Sequence, residues 1–429
     1  MAKPKADDAP ALVWLRQDLR LADNPALHAA AASKRPLVLF YLLDDDTPGP
    51  WRMGGASRWW LHRSLEALGA DIAKRGGALI LRRGKAERAV AKLAEETGAA
   101  ALHWNRCYEP FAIARDTALK QKLGARLDVH SHGAALLFEP WEVKTKGGEP
   151  FKVFTPFWRA CQQMTPRTPL PAPRGLRFFE GACASDALPS WRLLPTKPNW
   201  AATFEPTWTP GEAGAQASLR AFLKNKVKAY PSARDQLAVD GTSKLSPHLH
   251  FGEISPAQIF AAAQTHVAEQ SPGGVDKFLT ELGWRDFSHH LLFHWPSLPQ
   301  QNWRAQFDAF PWRDDDDALE AWRRGRTGYP VVDAAMRQLW TTGWMHNRAR
   351  MIAASFLIKH LLIDWRRGED WFWDTLVDAD LANNSASWQW VAGSGADASP
   401  YFRIFNPVTQ GQRYDADGAY VRRWVPELA

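Results

Sequence analysis

Residues 327–351 read TGYPVVDAAMRQLWTTGWMHNRARM, two apolar-periodic segments separated at Gly343. A glycine directly after VVDAAMRQLW closes one helix and lets a second begin within a tight turn. In the second segment Asn347, Arg350 and Met351 stand at i, i+3 and i+4, so an amide, a guanidinium and a thioether share one helical face. Outward from here the pattern stays helical. From residue 214 to 429, segments start near Ala215, Pro256, Gly274, Asp316, Val331, Trp344 and Asp370. No repeat with a period of roughly twenty to fifty residues occurs, so the expectation is an all-helical cluster rather than a solenoid.

The first third follows a different rule. ALVWLR (11–16), PLVLFYLL (36–43), ALILRR (78–83) and AALHWN (100–105) are short apolar runs that predict buried strands. Helical spacing fills the gaps at 57–75 and 85–98. Alternation of this kind predicts an α/β domain over 1–135, a doubly wound parallel sheet with ligands at the carboxyl ends of its strands. No GxGxxG follows the first strand, which removes support for a dinucleotide site there. Between 136 and 213 prolines crowd the chain, as in MTPRTPLPAPRG, and predict a connector without long helices.

Two domains suit a chain of 429 residues. With 45% hydrophobic and 23% charged residues it reads as a soluble globular protein. No run of about twenty apolar residues could span a membrane. The start, MAKPKADDAP, lacks the apolar core of a signal peptide. Three cysteines, Cys107, Cys161 and Cys183, have no metal-type pairing and fit a reducing cytoplasm. A net charge of +7 suits a polyanionic partner, though plain solubility explains it as well. Twenty-three tryptophans against seven tyrosines say more: the indole itself is wanted, for stacking or redox work.

Several clusters could carry chemistry. GTSKLSPHLHFGEISP (241–256) places Thr242, Ser243 and Ser246 in a glycine-flanked turn, and Ser246-Pro247 and Ser255-Pro256 both have the form of a capped helix start. Such hydroxyls can bind an anion or simply cap. In ELGWRDF (281–287), Glu281, Trp284 and Arg285 share a face that suits a planar polar ligand, or else an amphipathic surface. DADLANNSASWQW (378–390) sets Asp378, Asp380 and Asn384 before Trp388 and Trp390, as an irregular turn at a ligand or as caps and a solvated loop. His290 with His294, and His248 with His250, lack the frame of a metal site and are expected to pack or face solvent. Asp314 to Asp317 reads as a solvated helix start favoured by the helix dipole.

In order along the chain, WLRQDLRLADNPAL, the EPW at Glu139, GTSKLSPHLHFGEISP, ELGWRDF, GRTGYPVVDAAMRQLWTTGWMHNRARM, DTLVDADLANN, WQW and PYFRIFNPVTQGQRYD form a long ordered set. The set resembles the DNA photolyase/cryptochrome family, nearest in pattern to class I cyclobutane pyrimidine dimer photolyases. That resemblance implies an all-α FAD-binding carboxyl-terminal domain and light-driven repair of dimers in DNA. It implies flavin contacts from Tyr230, Thr242, Ser243, Leu245, Ser246, Arg285 and Asn347, with an Arg350–Asp378 ion pair over the ring. Asp380 would bond the ring's polar edge. Asn384 would face the ring nitrogen whose protonation sets the redox state. An amide there does not deliver a proton readily, which points to repair, whereas plant cryptochromes carry a carboxylate.

The same resemblance assigns Glu281, Trp284, Asn347, Met351 and Trp390 to the lesion pocket, where Glu281, held in a low-dielectric site, can help stabilise the dimer radical anion if protonated. It sets Arg234, Lys244, Arg348 and Arg403 on DNA phosphates. Trp388, Trp365 and Trp312 match a chain of indoles from flavin to surface. Asn105 and Glu109 are implied as ligands of a folate or deazaflavin antenna. Phe278 replaces a tryptophan common beside the flavin, and the family usually continues past VRRWVPEL, so a missing packing segment is expected. The alternatives are a cryptochrome-like photoreceptor, a (6-4) photolyase, which would want a histidine pair in the lesion pocket and against which Asn347 with Met351 argues, and a light-independent DNA-binding module. A monomer is expected.

Overall fold

The computed structural model describes residues 9–269, 273–397 and 403–428. Five parallel strands form one sheet in the order β3-β2-β1-β4-β5: β1 Ala11–Leu15, β2 Leu37–Leu43, β3 Leu79–Arg83, β4 Ala101–Asn105 and β5 Asp128–His132. The three central strands are buried along their whole length because helices cover both faces, which is why they read as unbroken apolar runs. β5, with the sequence DVHSH, escaped the sequence reading. It lies at an edge and is only partly buried, so nothing required it to be apolar.

On one face Trp14, Phe40 and Leu102 pack against Val90, Leu93 and Leu119. On the other, Val13, Leu39 and Trp60 share a core with Phe204 and Trp208 of the connector and with Trp344 and Val377 of the helical half. The two halves are therefore joined by apolar packing, and backbone contacts add to it. Leu19 donates its N–H to the Phe251 carbonyl at 3.0 Å, and the Arg20 guanidinium donates to the Gly252 carbonyl at 2.8 Å. Gly252 has φ +65°, and a Cβ there would meet the Gln17 carbonyl oxygen at 1.9 Å, so this join depends on glycine.

The helical half contains the predicted segments, among them Glu212–Asn225, Pro256–Glu269, Val275–His294, Asp316–Arg323, Pro330–Thr342, Asn347–Lys359 and Trp365–Thr375. Gly343, at φ +66°, ends Pro330–Thr342 as the sequence pattern requires. Asp315 caps Asp316–Arg323 by accepting from the Ala318 N–H. Ser255 forms a reciprocal cap with Gln258, its Oγ taking the Gln258 N–H while the Gln258 side chain takes the Ser255 N–H, both at 2.9 Å. Ser246 differs from the expectation: it is the first residue of Ser246–His250, not its cap, and it is exposed. The segment read as an irregular turn is a helix, Leu381–Ala392, capped by Asp380. Within the proline-rich connector, Phe154–Cys161 is a short helix packed on Val275–His294.

Candidate functional site

Helix Leu381–Ala392 packs against Val275–His294, Asn347–Lys359 and Trp365–Thr375, which gathers polar groups from distant parts of the chain. Arg350 donates through one Nη to both Asp378 oxygens, at 2.8 and 3.1 Å, and through Nε to the Met345 carbonyl at 2.8 Å. Asp380 uses Oδ1 to accept from the backbone and side-chain N–H groups of Asn383, at 2.8 and 2.7 Å. Its Oδ2 lies 3.4 Å from His289 Nε2 and 3.8 Å from His250 Nδ1. Burial opposes the Asp380 charge, but His289, His250 and Arg285 outweigh it and hold the carboxyl well below its ordinary range.

Asn384 is buried, and its amide NH2 donates to the Glu369 carbonyl at 3.1 Å. No described residue bonds its own carbonyl oxygen. Beneath it the Glu369 carboxyl accepts the Ser385 hydroxyl at 2.6 Å, and burial raises this carboxyl to about 8. Glu369 and His289 had escaped the sequence reading, and His250 had been expected only to pack or face solvent. The one available signal was that His289 stands four residues after Arg285 on the same helix.

Across the turn at 241–246, Lys244 takes φ +52°. The Thr242 and Ser246 hydroxyls have no hydrogen-bond partner among the described residues, and Ser243 Oγ accepts only a long 3.4 Å bond from Leu245 N. Leu245 is buried. Tyr230 is buried edge-on to Phe222 and Phe278, so Phe278 fills a packing position. Arg285 donates to the Ala135 carbonyl at 2.6 Å. Free hydroxyls, an ion pair, a buried imidazole nitrogen without a partner at His250, and the Asn384 carbonyl together make a donor and acceptor set that fits a flavin dinucleotide.

On the neighbouring side Trp284 stacks on Phe154 with centroids 3.6 Å apart and planes 10° apart, which forms a flat apolar wall. Asn347 is exposed and lies 3.9 Å from the Met351 sulfur. Trp390 packs on Phe405 at 6.3 Å. Glu281 is paired with cations: Arg234 bonds to it directly and Lys277 lies at 3.1 Å. The expected phosphate clamps are likewise engaged. Arg234 is committed to Glu281, Arg348 to Asp235 at 2.9 Å and Lys244 to Asp240 at 3.1 Å, whereas Arg403 is exposed.

Trp388 and Trp365 are buried in the helical core and Trp312 packs at its edge. Trp388 touches Phe372 and Trp322, and Trp365 donates to Asn302 at 3.0 Å. Asn105, expected beside the antenna, is bonded within the chain. Its amide donates to Asp18 and to Asn24, its side-chain oxygen accepts from Ala26 N, and its carbonyl accepts from Arg16. Glu109 is buried, bonded by Gln17 through one oxygen while the other has no partner. Of the four histidines considered for a metal three are bonded within the chain: His248 bonds Glu253, His290 accepts from Phe151 N at 3.0 Å, and His294 donates to the Pro140 carbonyl at 3.1 Å. Among the described residues no group of three or more ligand-type side chains is arranged around a metal position, and no helix is long and apolar enough to cross a membrane.

Two family patterns match the chain: the FAD binding domain of DNA photolyase over residues 278–429, and DNA photolyase over residues 11–174. A deoxyribodipyrimidine photo-lyase of Agrobacterium fabrum is 53% identical over 98% of this chain and 88% of its own length. Cryptochrome-2 of Arabidopsis thaliana is 36% identical over 98% of this chain and 71% of its own. A solved bacterial class III photolyase from Agrobacterium tumefaciens superposes with a TM-score of 0.95 at 52% identity, covering 100% of this chain and 88% of that one. The class III description gives the class I expectation no support. Fold, site and sequence agree that the chain belongs to the DNA photolyase family and carries that family's FAD-binding domain in its helical half.

Proposed function

We propose that this protein repairs cyclobutane pyrimidine dimers in DNA, driven by light. The observation that carries the reading is Asn384, a buried amide whose NH2 is spent on the Glu369 carbonyl and whose carbonyl oxygen is left for a ligand. Reduced FAD supplies the photo-excited electron when bound. Around it, Arg350 and Asp378 hold the ring in place, Asp380 accepts from its polar edge, and Asn384 offers an acceptor but no acidic proton. Tyr230, Thr242, Ser243, Leu245, Ser246, Arg285 and Asn347 complete the cofactor contacts.

A dimer leaves the base stack to be read by stacking and hydrogen bonds. Trp284, braced by Phe154, and Trp390 form the apolar walls, Met351 lines the same pocket beside Asn347, and Asn347 bonds the pyrimidine edge. Glu281 lies at the rim with its cationic partners. One electron enters the dimer, two carbon–carbon bonds break, and the electron returns, so no net oxidation occurs. Arg403, with Arg234, Lys244 and Arg348 once displaced from their carboxylates, neutralises phosphates and positions the strand. Trp388, Trp365 and Trp312 pass electrons inward from the surface. The boundaries 1–135, 136–213 and 214–429, a monomeric state, a cytoplasmic location and an antenna of folate or deazaflavin type belong to the same reading.

The test is direct. Reduced, FAD-loaded protein and dimer-containing DNA are illuminated with blue light, and restored thymine is counted. Light-dependent restoration is expected. Bound flavin with no restoration and no affinity for damaged DNA overturns repair in favour of a photoreceptor, consistent with the 36% identity to a cryptochrome.

A further inference from the structure

We propose that His289 is a positioning residue of the cofactor pocket: as an imidazolium it holds the Asp380 carboxylate in place, and on losing its proton it lets go. The inference rests on the reading that FAD lies against Asp380.

His289 is buried on helix Val275–His294, one turn beyond Arg285. Its Nδ1 faces the Arg285 carbonyl at 3.0 Å and its Nε2 faces Asp380 Oδ2 at 3.4 Å. Both ring nitrogens thus meet acceptors. A neutral imidazole has a single N–H, so one contact would oppose two lone pairs, whereas the doubly protonated ring satisfies both. Asp380 is placed to need this partner. Its Oδ1 is spent on Asn383 at the start of Leu381–Ala392, which leaves Oδ2 alone to take a counter-charge.

The other groups around the ring lie farther from Oδ2 or are turned to other partners. From Ser246–His250, the His250 Nδ1 lies 3.8 Å from Oδ2, too long for a bond, and is buried without a partner. From the same helix as His289, the Arg285 guanidinium is turned to the Ala135 carbonyl, and Asp286 to the backbone of Leu137 and Phe138. From the segment after β4, Tyr108 meets the His289 ring edge-on at 6.3 Å, with its hydroxyl donated to Glu139, which also takes Arg106. Burial and Arg285 work against a charge on His289, Asp380 and the Arg285 carbonyl work for it, and the outcome is a raised pKa.

The sign follows from that direction. A histidine raised above its ordinary value of 6.5 holds its partner fully below that value and releases it as pH climbs through the higher folded value. Beyond that point Asp380 is a buried anion without its partner, and the pocket edge loosens.

FAD release from the holoprotein is followed by fluorescence between about pH 6 and about pH 9, with the absorption bands of bound flavin recorded alongside. The wild-type release rate should rise about tenfold across this range, the factor that one pKa unit represents. His289→Arg, with a fixed charge, should release slowly at every pH. His289→Gln, with none, should release fast at every pH. A flat wild-type profile, or a His289→Gln protein that keeps the wild-type slope, overturns the proposal. Should His289→Gln fail to fold, the flat or sloping profile of His289→Arg decides in its place. Asp380→Asn separates the underlying reading: if it leaves both FAD retention and the flavin bands unchanged, FAD does not lie against Asp380.

Discussion

Asn105 in the sheet and Asn384 in the helical half are both buried asparagines, and they are built for opposite ends. Asn105 makes bonds through every polar atom of its side chain, to Asp18, Asn24 and Ala26, and its backbone carbonyl takes Arg16. Asn384 spends one donor on Glu369 and leaves its carbonyl oxygen without a described partner. Saturation rigidifies, and an unfilled acceptor costs free energy unless something arrives to fill it. The same contrast separates the two halves. The carboxyl ends of β1 and β4 close on themselves through Asp18, Asn24 and Asn105, whereas the helical half keeps hydroxyls at Thr242 and Ser246 free.

The sharpest way to break this comparison is Asn105→Ala. The change strands groups on Asp18, Asn24 and Ala26, and at about 1–3 kcal/mol for each unsatisfied group the loss should be about 4 kcal/mol. It should be read as a lower urea midpoint for the α/β half, with the bands of bound flavin unmoved. A shifted flavin spectrum at unchanged stability would reverse the roles assigned here.

Next in size is Glu369→Gln. Burial raises the folded value of this carboxyl from 4.5 to about 8, so its favourable contribution is complete below 4.5 and is lost as pH rises through 8. Glutamine cannot ionise. The variant should therefore gain stability over wild type by about 1 kcal/mol for each pH unit climbed within that window. Melting temperatures of the two proteins, compared at several pH values, check the slope.

Asn384→Asp tests the other half of the comparison. The new carboxyl would face the Glu369 carbonyl and keep its proton, so the fold should change little while an acidic hydrogen replaces a neutral amide. Repair per photon should fall about tenfold or more, equivalent to about 1.4 kcal/mol at the reacting step. Equal repair by this variant would remove Asn384 from the argument.

How far these contrasts could be read in advance depends on their range along the chain. β1, β2 and β4 announced themselves because central strands between two helical layers must be apolar throughout, β3 did so through the apolar start of LILRR although it lies at an edge, and β5 stayed hidden because an edge tolerates DVHSH. Leu381–Ala392 was misread as a turn because its first turn carries Asn383, Asn384 and Ser385, residue types that favour caps, and because the Asp380 cap counts only once the helix is packed. Arg350, Asp378 and Asn384 were singled out by local pattern, but their roles came from family resemblance. What no local pattern could reveal was the pairing across the fold: Phe154 beneath Trp284, His289 against Asp380, and Arg234 on Glu281. Each joins residues far beyond the reach of helical or strand periodicity.

The smallest expected effect probes the place where the two regimes meet. Arg234 and Lys277 are cations at the rim of the proposed lesion pocket, yet both are held by Glu281, saturated in the manner of the sheet although they lie on the functional side. Were these pairs purely structural, Glu281→Gln should lower stability and leave DNA binding alone. If they hold cations in reserve for phosphate, the variant should bind undamaged DNA about threefold more tightly at low salt, with a steeper dependence of affinity on salt as the freed charges displace counterions. Half-exposed ion pairs contribute little to stability, so the melting temperature should barely move. Affinity titrations at two salt concentrations distinguish the outcomes, and a tighter, more salt-sensitive complex with lower repair per bound dimer would show that Glu281 restrains these cations until a lesion competes for them.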